Sequence, residues 1–329
     1  MDVAISTLLS PIILFFMLGM GAALLRSQMS VPEAFGKGLA IYLMMAIGLK
    51  GGVEMAKSPL TLDVALVFLA GIVLSFLIPF VAYTLLRLTS KLDATNAAAA
   101  AAHYGSISIV TFVAATEAVE LSGLLGSGHL VAVAALMETP AIVSALLLAQ
   151  LGKSPGASEE APVAGSARGE LVEEVLLNAS VVVLVGALII GWIAGEAGTE
   201  RVRPFFVEPF QGVLCLFLLD MGLSAGRGLR EGWRQLDLGT ILFGLYMPLV
   251  SALIAAFFCL LLPINSGDAA LLITLSASAS YIAVPAAMRL ALPKAKPSIY
   301  LTLSLGITFP FNVTVGLPIY IFLGNLVAG

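Results

Sequence analysis

The sequence predicts an all-α integral membrane protein of about ten transmembrane helices, arranged as two inverted repeats of five. Three observations lead to this prediction: an apolar composition, a series of apolar runs long enough to cross a bilayer, and a midpoint segment that separates two halves with recurring motifs. Of the 329 residues, 60% are apolar and 11% are charged, whereas soluble domains have about half and about a quarter. This composition excludes a water-soluble globular enzyme.

The apolar segments predict the helices in chain order, because a membrane-spanning helix needs about 20 mostly apolar residues. Seven runs without Asp, Glu, Lys or Arg are long enough, namely 3–25, 64–86, 94–116, 175–195, 238–267, 269–288 and 297–329. Three further spans, shorter or interrupted by a charge, fit 34–50, 128–152 and 205–226. Lipid offers the backbone no hydrogen bonds and the runs do not alternate with period two, so helices are favoured over barrel strands. The first run lacks a basic segment before it and predicts an uncleaved helix, not a signal peptide.

Basic residues between the spans predict the orientation, since short cytoplasmic loops carry more Lys and Arg. With the amino end outside, twelve basic residues fall on the inner side: Arg26, Lys37, Arg87, Lys91, Lys153, Arg168, Arg227, Arg230, Arg234, Arg289, Lys294 and Lys296. Four fall on the outer side, namely Lys50, Lys57, Arg201 and Arg203. The bias predicts that both chain ends lie outside the cytoplasm. We expect a multi-pass protein of the plasma (inner) membrane.

Residues 153–169 are rich in Pro, Gly, Ser and Ala, and predict a flexible cytoplasmic linker. The linker separates a first five-helix repeat, 1–152, from a second, 170–329. Three landmarks recur in the same order at offsets of 174, 172 and 170: Gly48-Leu49-Lys50-Gly51-Gly52 with Gly222-Leu223-Ser224-Ala225-Gly226, Ser106 and Ser108 with Ser278 and Ser280, and Thr139-Pro140 with Phe309-Pro310. Because five spans precede the linker, the second half enters the membrane from the opposite side and the repeats are inverted.

Small polar residues interrupt two predicted spans at matching positions. The fourth span contains His103-Tyr104-Gly105-Ser106-Ile107-Ser108-Ile109-Val110-Thr111, and the ninth contains Ser276-Ala277-Ser278-Ala279-Ser280-Tyr281-Ile282-Ala283-Val284-Pro285. Gly and Pro free backbone groups that lipid cannot satisfy, so both interruptions predict broken helices that face protein or a water-filled cavity. Half-helix ends with free N–H groups bind anions, while freed carbonyls and hydroxyls bind Na⁺. The alternative interpretation is that these small residues only permit close helix packing.

The candidate site residues are the glycine and the hydroxyl residues of the interruptions: Gly105, Ser106, Ser108, Thr111, Ser278 and Ser280. An intramembrane acid is a functional candidate because burying an unpaired charge is costly. Glu138, two residues before Pro140, is favoured as a supporting residue, whereas Asp220 is interpreted as a structural residue at the end of a short span. His103 is interpreted as a packing or hydrogen-bonding residue, because no second His or Cys lies nearby to form a metal site. We therefore expect no metal centre.

At these motifs the chain resembles the sodium-dependent bicarbonate permease family best known from cyanobacteria. The resemblance covers nearly the whole length and includes Ser10-Pro11, Val31-Pro32-Glu33-Ala34, the Gly48-Leu49-Lys50-Gly51-Gly52 turn, Gly105-Ser106-Ile107-Ser108, Met137-Glu138-Thr139-Pro140-Ala141, and Arg289 followed by Pro293 and Pro297-Ser298-Ile299-Tyr300. Tyr281 departs from the family pattern, since the cyanobacterial members carry an acidic residue after the ninth-span serines, and their central linker is longer. We include Tyr281 as a second supporting residue.

The resemblance implies a homotrimer of ten-helix protomers, each with a gate domain and a core domain, that binds bicarbonate and Na⁺ between the broken helices and moves the core as an elevator. It also implies a PII-like regulatory protein as a partner on the cytoplasmic face. We expect a Na⁺-coupled symporter that imports bicarbonate, with Na⁺ as the co-transported ion and no cofactor. The alternative is a Na⁺-coupled carrier of another small organic anion. An enzyme would need a nucleophile with a base or a metal cluster, for which the two histidines give little support.

Overall fold

The computed structural model describes residues 9, 11–57, 61–151, 179–281, 284, 285, 288, 292 and 294–328 of the chain. Within these residues all regular secondary structure is helical, which confirms the all-α prediction. The predicted linker, 153–169, lies outside the described residues.

The helices, numbered in chain order, are α1 Pro11–Leu24, α2 Glu33–Lys57, α3 Leu62–Thr89, α4 Ala94–Ala102, α5 Ile109–Leu121, α6 His129–Leu151, α7 Ala179–Thr199, α8 Arg203–Phe206, α9 Phe210–Gly232, α10 Leu238–Cys259, α11 Ser266–Ala277 and α12 Pro297–Ala328. Side chains of Thr61, Asp93, Ser108, Asp237 and Asn265 cap five of these helices by accepting a first-turn N–H. Such caps satisfy donors that no helical carbonyl can reach.

Six stretches of the described chain are long and apolar enough to cross a membrane: Ala34–Lys57, Leu62–Thr89, Val182–Phe206, Phe210–Gln235, Leu238–Cys259 and Pro297–Ala328. Two shorter apolar helices, α1 and α11, accompany them. These lengths and compositions support a multi-pass membrane protein.

Two helices extend past the charged residues at which the predicted spans end. The span 34–50 continues to Lys57 as α2, and the span 205–226 becomes α9, which continues to Gly232. The prediction of a turn at 48–52 is therefore wrong, and so is the placement of Asp220 at a helix end. The criterion of uninterrupted apolarity failed because Lys50 and Asp220 line cavities, where a charge does not have to meet lipid.

The described helices pack as two groups, which contact each other where α9 packs on α12. One group, which we call the panel, consists of α1 packed along α9 and α2 packed along α7. Glycines bring the backbones together: Gly48 lies against the Leu184 carbonyl, and Gly222 lies against the Phe16 carbonyl, so neither position has room for a Cβ. Small residues allow such close approach between membrane helices. The first recurring landmark is thus a helix-packing motif that makes the same kind of contact in both halves.

The second group, which we call the core bundle, consists of α3–α6 and α10–α12. Here α3 packs on α6 and α10, while α11 packs on α10, α12 and α5. Two of its helices, α4 and α11, end inside the bundle at the interruptions predicted from the sequence, and α5 continues the chain beyond the first. The core bundle therefore holds the residues singled out as site candidates.

Candidate functional site

The first break separates α4 from α5. Helix α4 ends at Ala102, and α5 begins at Ile109 with Ser108 as its N-cap. The Ser108 Oγ accepts a hydrogen bond from the Thr111 N–H at 3.2 Å and another from the Thr111 Oγ1 at 3.0 Å. Gly105 lies so close to the Pro79 ring that a Cβ would clash. Glycine at this position therefore lets the break pack directly against α3.

The second break follows α11, which ends at Ala277. Ser278 has extended backbone angles (φ −79°, ψ 162°), and its N–H still reaches back to the Leu275 carbonyl at 3.2 Å. The residues from Ser278 to Ser280 are buried and non-helical. Between Tyr281 and Lys294 the structure describes only residues 284, 285, 288 and 292, so the course of this span after the break lies outside the described residues.

The two breaks contact each other through hydrogen bonds that run in both directions. The Ser280 N–H donates to the His103 carbonyl at 2.8 Å, and the Ser108 N–H donates to the Ser278 Oγ at 2.9 Å. The Ser278 hydroxyl in turn donates to the Leu275 carbonyl at 2.7 Å. We call this contact the crossing. It joins backbone that helical hydrogen bonding leaves unpaired, deep inside the core bundle.

The structure brings most predicted site residues to the crossing. Ser108, Ser278 and Ser280 form its hydrogen bonds, Thr111 bonds to Ser108, and Gly105 and Ser106 are buried within the first break.

The two supporting residues differ in what the structure shows of them. Tyr281 follows the second break, and its hydroxyl contacts the Met221 sulfur at 3.9 Å. Met221 belongs to α9, so Tyr281 joins the core bundle to the panel. Glu138 lies within α6, and its side chain is outside what the structure describes.

The start of each broken helix is fixed by a carboxylate and an amide three residues apart. Asp93 caps α4 and Asn265 caps α11. Three residues on, the Asn96 Oδ1 accepts the Lys296 N–H at 2.8 Å, and the Asp268 carboxylate accepts hydrogen bonds from the N–H and the hydroxyl of Ser127. The offset between these pairs is 172, the same as between the serines of the breaks. The resemblance between the halves therefore extends from the sequence to contacts.

A wide cavity of ≈ 560 Å³ lies between the panel and the core bundle on one side of the crossing. Its core-bundle wall includes Ile109 and Val110, the first two residues of α5, together with Tyr281. Its panel wall carries charged residues, among them Lys37 and Asp220. The cavity thus leads from the beginning of α2 to the first break.

A narrow cavity of ≈ 270 Å³ lies on the other side of the crossing, near the carboxyl ends of α2 and α5. Two polar contacts that join the panel to α5 line it: Lys50 forms an ion pair with Glu120, and Gln211 donates a hydrogen bond to Glu117. Glu117 is only 6% exposed. Polar contacts therefore join the panel to α5 at this end, while α9 contacts α12 at its carboxyl end, where the Thr302 hydroxyl donates to the Gly228 carbonyl at 3.3 Å.

The sequence comparison decides what kind of protein carries this arrangement. The family model of the Na⁺-dependent bicarbonate transporter superfamily matches residues 11–325, nearly the whole chain. The chain belongs to this superfamily. It is therefore a membrane transporter and not an enzyme. No curated protein matches the sequence.

Sequence reasoning missed two residues that support the transporter's second break. The Asn312 Nδ2 donates to the Ala277 carbonyl, the last of α11, at 3.0 Å, and the Tyr320 hydroxyl donates to the Asn312 Oδ1 at 2.6 Å. Both side chains are fully buried. Asn312 lies in a π-helical turn of α12, a feature common near functional sites. The sequence did contain a signal for Asn312. It is a polar residue just after the Phe309-Pro310 landmark, whereas Ile142, at the matching position of the first half, is apolar.

His103 supports the first break of the transporter in a different way. Its Nδ1 hydrogen-bonds the Ala99 carbonyl at 2.7 Å, and its ring stacks on Tyr300 with centroids 4.7 Å apart. The prediction of a packing and hydrogen-bonding histidine is confirmed.

Proposed function

We propose that this transporter imports bicarbonate by Na⁺-coupled symport, with the anion and Na⁺ bound together at the crossing. The observation that carries the proposal is that the start of α5 lies on the wall of the wide cavity. The first N–H groups of a helix have no helical acceptor, and they carry the positive end of its dipole. A small anion that enters this cavity therefore meets donors of the kind that bind phosphate and carboxylate at other helix starts.

The proposed binding residues are those of the two breaks: Gly105, Ser106, Ser108, Thr111, Ser278 and Ser280, with Glu138 and Tyr281 supporting them. The hydroxyl and carbonyl oxygens there are hard ligands of the type that coordinates Na⁺ in broken helices. Segments 94–121 and 266–288 contain no Lys or Arg, so a bound anion would depend on helix dipoles and on a neighbouring cation. Placing Na⁺ beside the anion lowers the cost of bringing either charge out of water.

Na⁺ and bicarbonate should therefore bind with positive coupling, and by linkage each raises the affinity for the other by the same factor. Calorimetric titration of the purified protein with bicarbonate, in sodium-free and sodium-rich buffer, measures this factor. Equal bicarbonate affinity in the two buffers would contradict the co-bound cation.

Transport itself is tested by uptake of labelled bicarbonate into proteoliposomes, with an inward Na⁺ gradient and with a matched K⁺ gradient. We expect uptake only with Na⁺. Competition by unlabelled formate, acetate or pyruvate separates bicarbonate symport from the alternative, a Na⁺-coupled carrier of another small organic anion. Na⁺-driven uptake of one of these anions, without uptake of bicarbonate, would favour that alternative.

We further propose an elevator movement, in which the core bundle carries the crossing along the panel. The proposal is supported by the wide cavity, which reaches the first break from one side, and by the polar contacts that join the panel to α5 at the narrow cavity. The basic residues predicted for the inner loops support a position of the wide cavity at the cytoplasmic end. Labelling of cysteines introduced at the chain termini of intact cells tests this orientation; a carboxyl terminus protected from an impermeant reagent would reverse it.

The proposal for the assembly is a homotrimer in the plasma (inner) membrane, regulated by a PII-like protein at the cytoplasmic end. Both parts are supported by the family resemblance. Mass measurement of the detergent-solubilised protein by light scattering tests the trimer, and co-purification with a PII-like protein tests the partner.

A further inference from the structure

Asp220 stands out among the charged residues that the crossing does not use. It lies in the middle of α9 and on the wall of the wide cavity. Arg227 lies on the same face of α9 two turns away, about 10 Å nearer to the carboxyl end of the helix. An acid at this depth is costly unless it meets water, a partner or a ligand.

The surroundings of Asp220 leave its carboxylate available. In the part of the chain that the structure describes, no hydrogen bond and no ion pair within 4 Å joins it to another side chain. Arg227 attracts it electrostatically, but the Arg227 guanidinium donates to the Met29 carbonyl at 2.6 Å and is held there. The carboxylate packs instead against Gly36 in the first turn of α2, where any Cβ would clash with it.

Asp220 also lies beside the route to the crossing. The sulfur of the next residue, Met221, is contacted by the hydroxyl of Tyr281, which follows the second break. Asp220, Met221 and Tyr281 all line the wide cavity. A cation that moves between the crossing and the cavity mouth therefore passes the Asp220 carboxylate before it reaches Arg227.

We propose that Asp220 is a Na⁺-binding residue of the wide cavity, which holds the cation on its path between the crossing and bulk water. The proposal rests on the proposed Na⁺-coupled function. Two basic residues, Lys37 and Arg227, line the same wall, and positive charge there suits the anion but repels Na⁺. Asp220 offsets that repulsion locally, so that one cavity admits both ions.

The test is the Na⁺ dependence of bicarbonate uptake by Asp220→Asn in proteoliposomes. Removing one unit charge near a partly screened site should raise the KM for Na⁺ about three- to tenfold. The KM for bicarbonate at saturating Na⁺ should stay unchanged. Asp220→Glu should restore most of the Na⁺ affinity, because it keeps the charge. The matched control is Glu231→Gln, an exposed acid of the same helix outside the cavity, which should transport like the wild type.

Gly36→Ala tests the position of the carboxylate while it keeps the charge. The added methyl group displaces the Asp220 side chain, so the KM for Na⁺ should rise less than in Asp220→Asn. In Gly36→Ala combined with Asp220→Asn, the KM should equal that of Asp220→Asn alone. An unchanged Na⁺ KM in Asp220→Asn, or an equal rise in Glu231→Gln, would overturn the proposal.

A measurement without bicarbonate separates this proposal from the proposed function. Na⁺ alone should raise the thermal stability of the purified wild type, with a half-maximal concentration that increases in Asp220→Asn. If the wild type shows this response but no Na⁺-driven bicarbonate uptake, the proposed function fails and the cation site stands. If the wild type transports but Asp220→Asn matches it in both measurements, only the role of Asp220 fails. If the wild type shows neither response, both proposals fail.

Discussion

The two breaks meet at the crossing, yet different residues hold them open. In the first break, His103 belongs to the interrupted segment itself and hydrogen-bonds the preceding Ala99 carbonyl. In the second, the last carbonyl of α11 is bonded by Asn312, which Tyr320 fixes from the following turns of α12. The first break is therefore supported locally, and the second depends on a helix more than thirty residues further along the chain.

This difference shows what the two halves share. Both place a helix start, a break and a serine pair at an offset of 172, and both satisfy the start with an amide and a carboxylate. They share the way in which the backbone is interrupted and then paired, since freed backbone groups inside a membrane need hydrogen-bond partners. The side chains that pair them are free to differ, because any well-placed donor meets the need.

The largest expected effect comes from Ser278→Ala, which acts on both breaks at once. Its Oγ accepts the Ser108 N–H and donates to the Leu275 carbonyl, so the substitution leaves a buried N–H of the first break unpaired. The cost should be about 1–3 kcal/mol of stability, with loss of most bicarbonate uptake. Thermal unfolding in detergent and proteoliposome uptake measure the two effects.

Ser122→Ala is the matched control. Its hydroxyl donates a bond of the same length, 2.7 Å, to the Ala118 carbonyl at the end of α5, away from the crossing. We expect near wild-type stability and transport. Comparable losses in both variants would show that the crossing has no special role.

Asn312→Leu should have the next largest effect and should act on the second break alone. It leaves the Ala277 carbonyl and the Tyr320 hydroxyl unpaired inside the bundle. We expect about 1–2 kcal/mol of destabilisation and weaker binding of both ions. Tyr320→Phe removes only the bond that orients Asn312, so its effect on the same titrations should be smaller. If Tyr320→Phe were the more damaging variant, Asn312 would not be the group that holds the break.

His103→Leu should cost less than Asn312→Leu, about 1 kcal/mol, because it removes one bond to one carbonyl. Leucine is apolar and of similar size, and unpaired carbonyls are tolerated better than unpaired N–H groups. The comparison of unfolding temperatures for the two variants tests whether local and distant support differ. A larger loss in His103→Leu would reverse the proposed order.

Much of this comparison was accessible from the sequence. The breaks, the serine pair and the landmark offsets follow from residue types in single segments, and the all-α class follows from composition. The role of Asn312 and the position of Asp220 could not be predicted from the sequence. Asn312 acts through a contact with a segment 35 residues earlier, and Asp220 looked like a helix end because the cavity beside it is formed by four separate helices. The pattern of residue types within one segment does not reveal its contacts with distant segments.

The smallest expected effect concerns the starts of the two broken helices and depends on pH. In α4 the capping residue is the carboxylate Asp93, whereas in α11 it is the amide Asn265. Burial alone raises the pKa of Asp93, but hydrogen bonds from the Asn96 N–H and the Asn96 side chain outweigh it and lower the pKa below the ordinary 3.8. A carboxyl that is more acidic in the folded state stabilises the fold above pH 3.8, and this contribution is lost as the pH falls through the lowered pKa.

Asp93→Asn gives α4 the type of cap that α11 already has. Asparagine caps helices about as well as aspartate, so the variant should be nearly as stable as the wild type at pH 6. Between pH 5 and pH 3, values that bracket the 3.8 of an ordinary aspartate, its unfolding temperature should fall less steeply than that of the wild type. Glu231→Gln, which removes an exposed acid elsewhere, controls for the change in net charge. Because Asp93 is exposed, the difference should be small, and parallel pH profiles would show that the carboxylate and the amide are equivalent at this position. In that case the two starts would differ in composition only, and the asymmetry between the halves would be confined to the breaks.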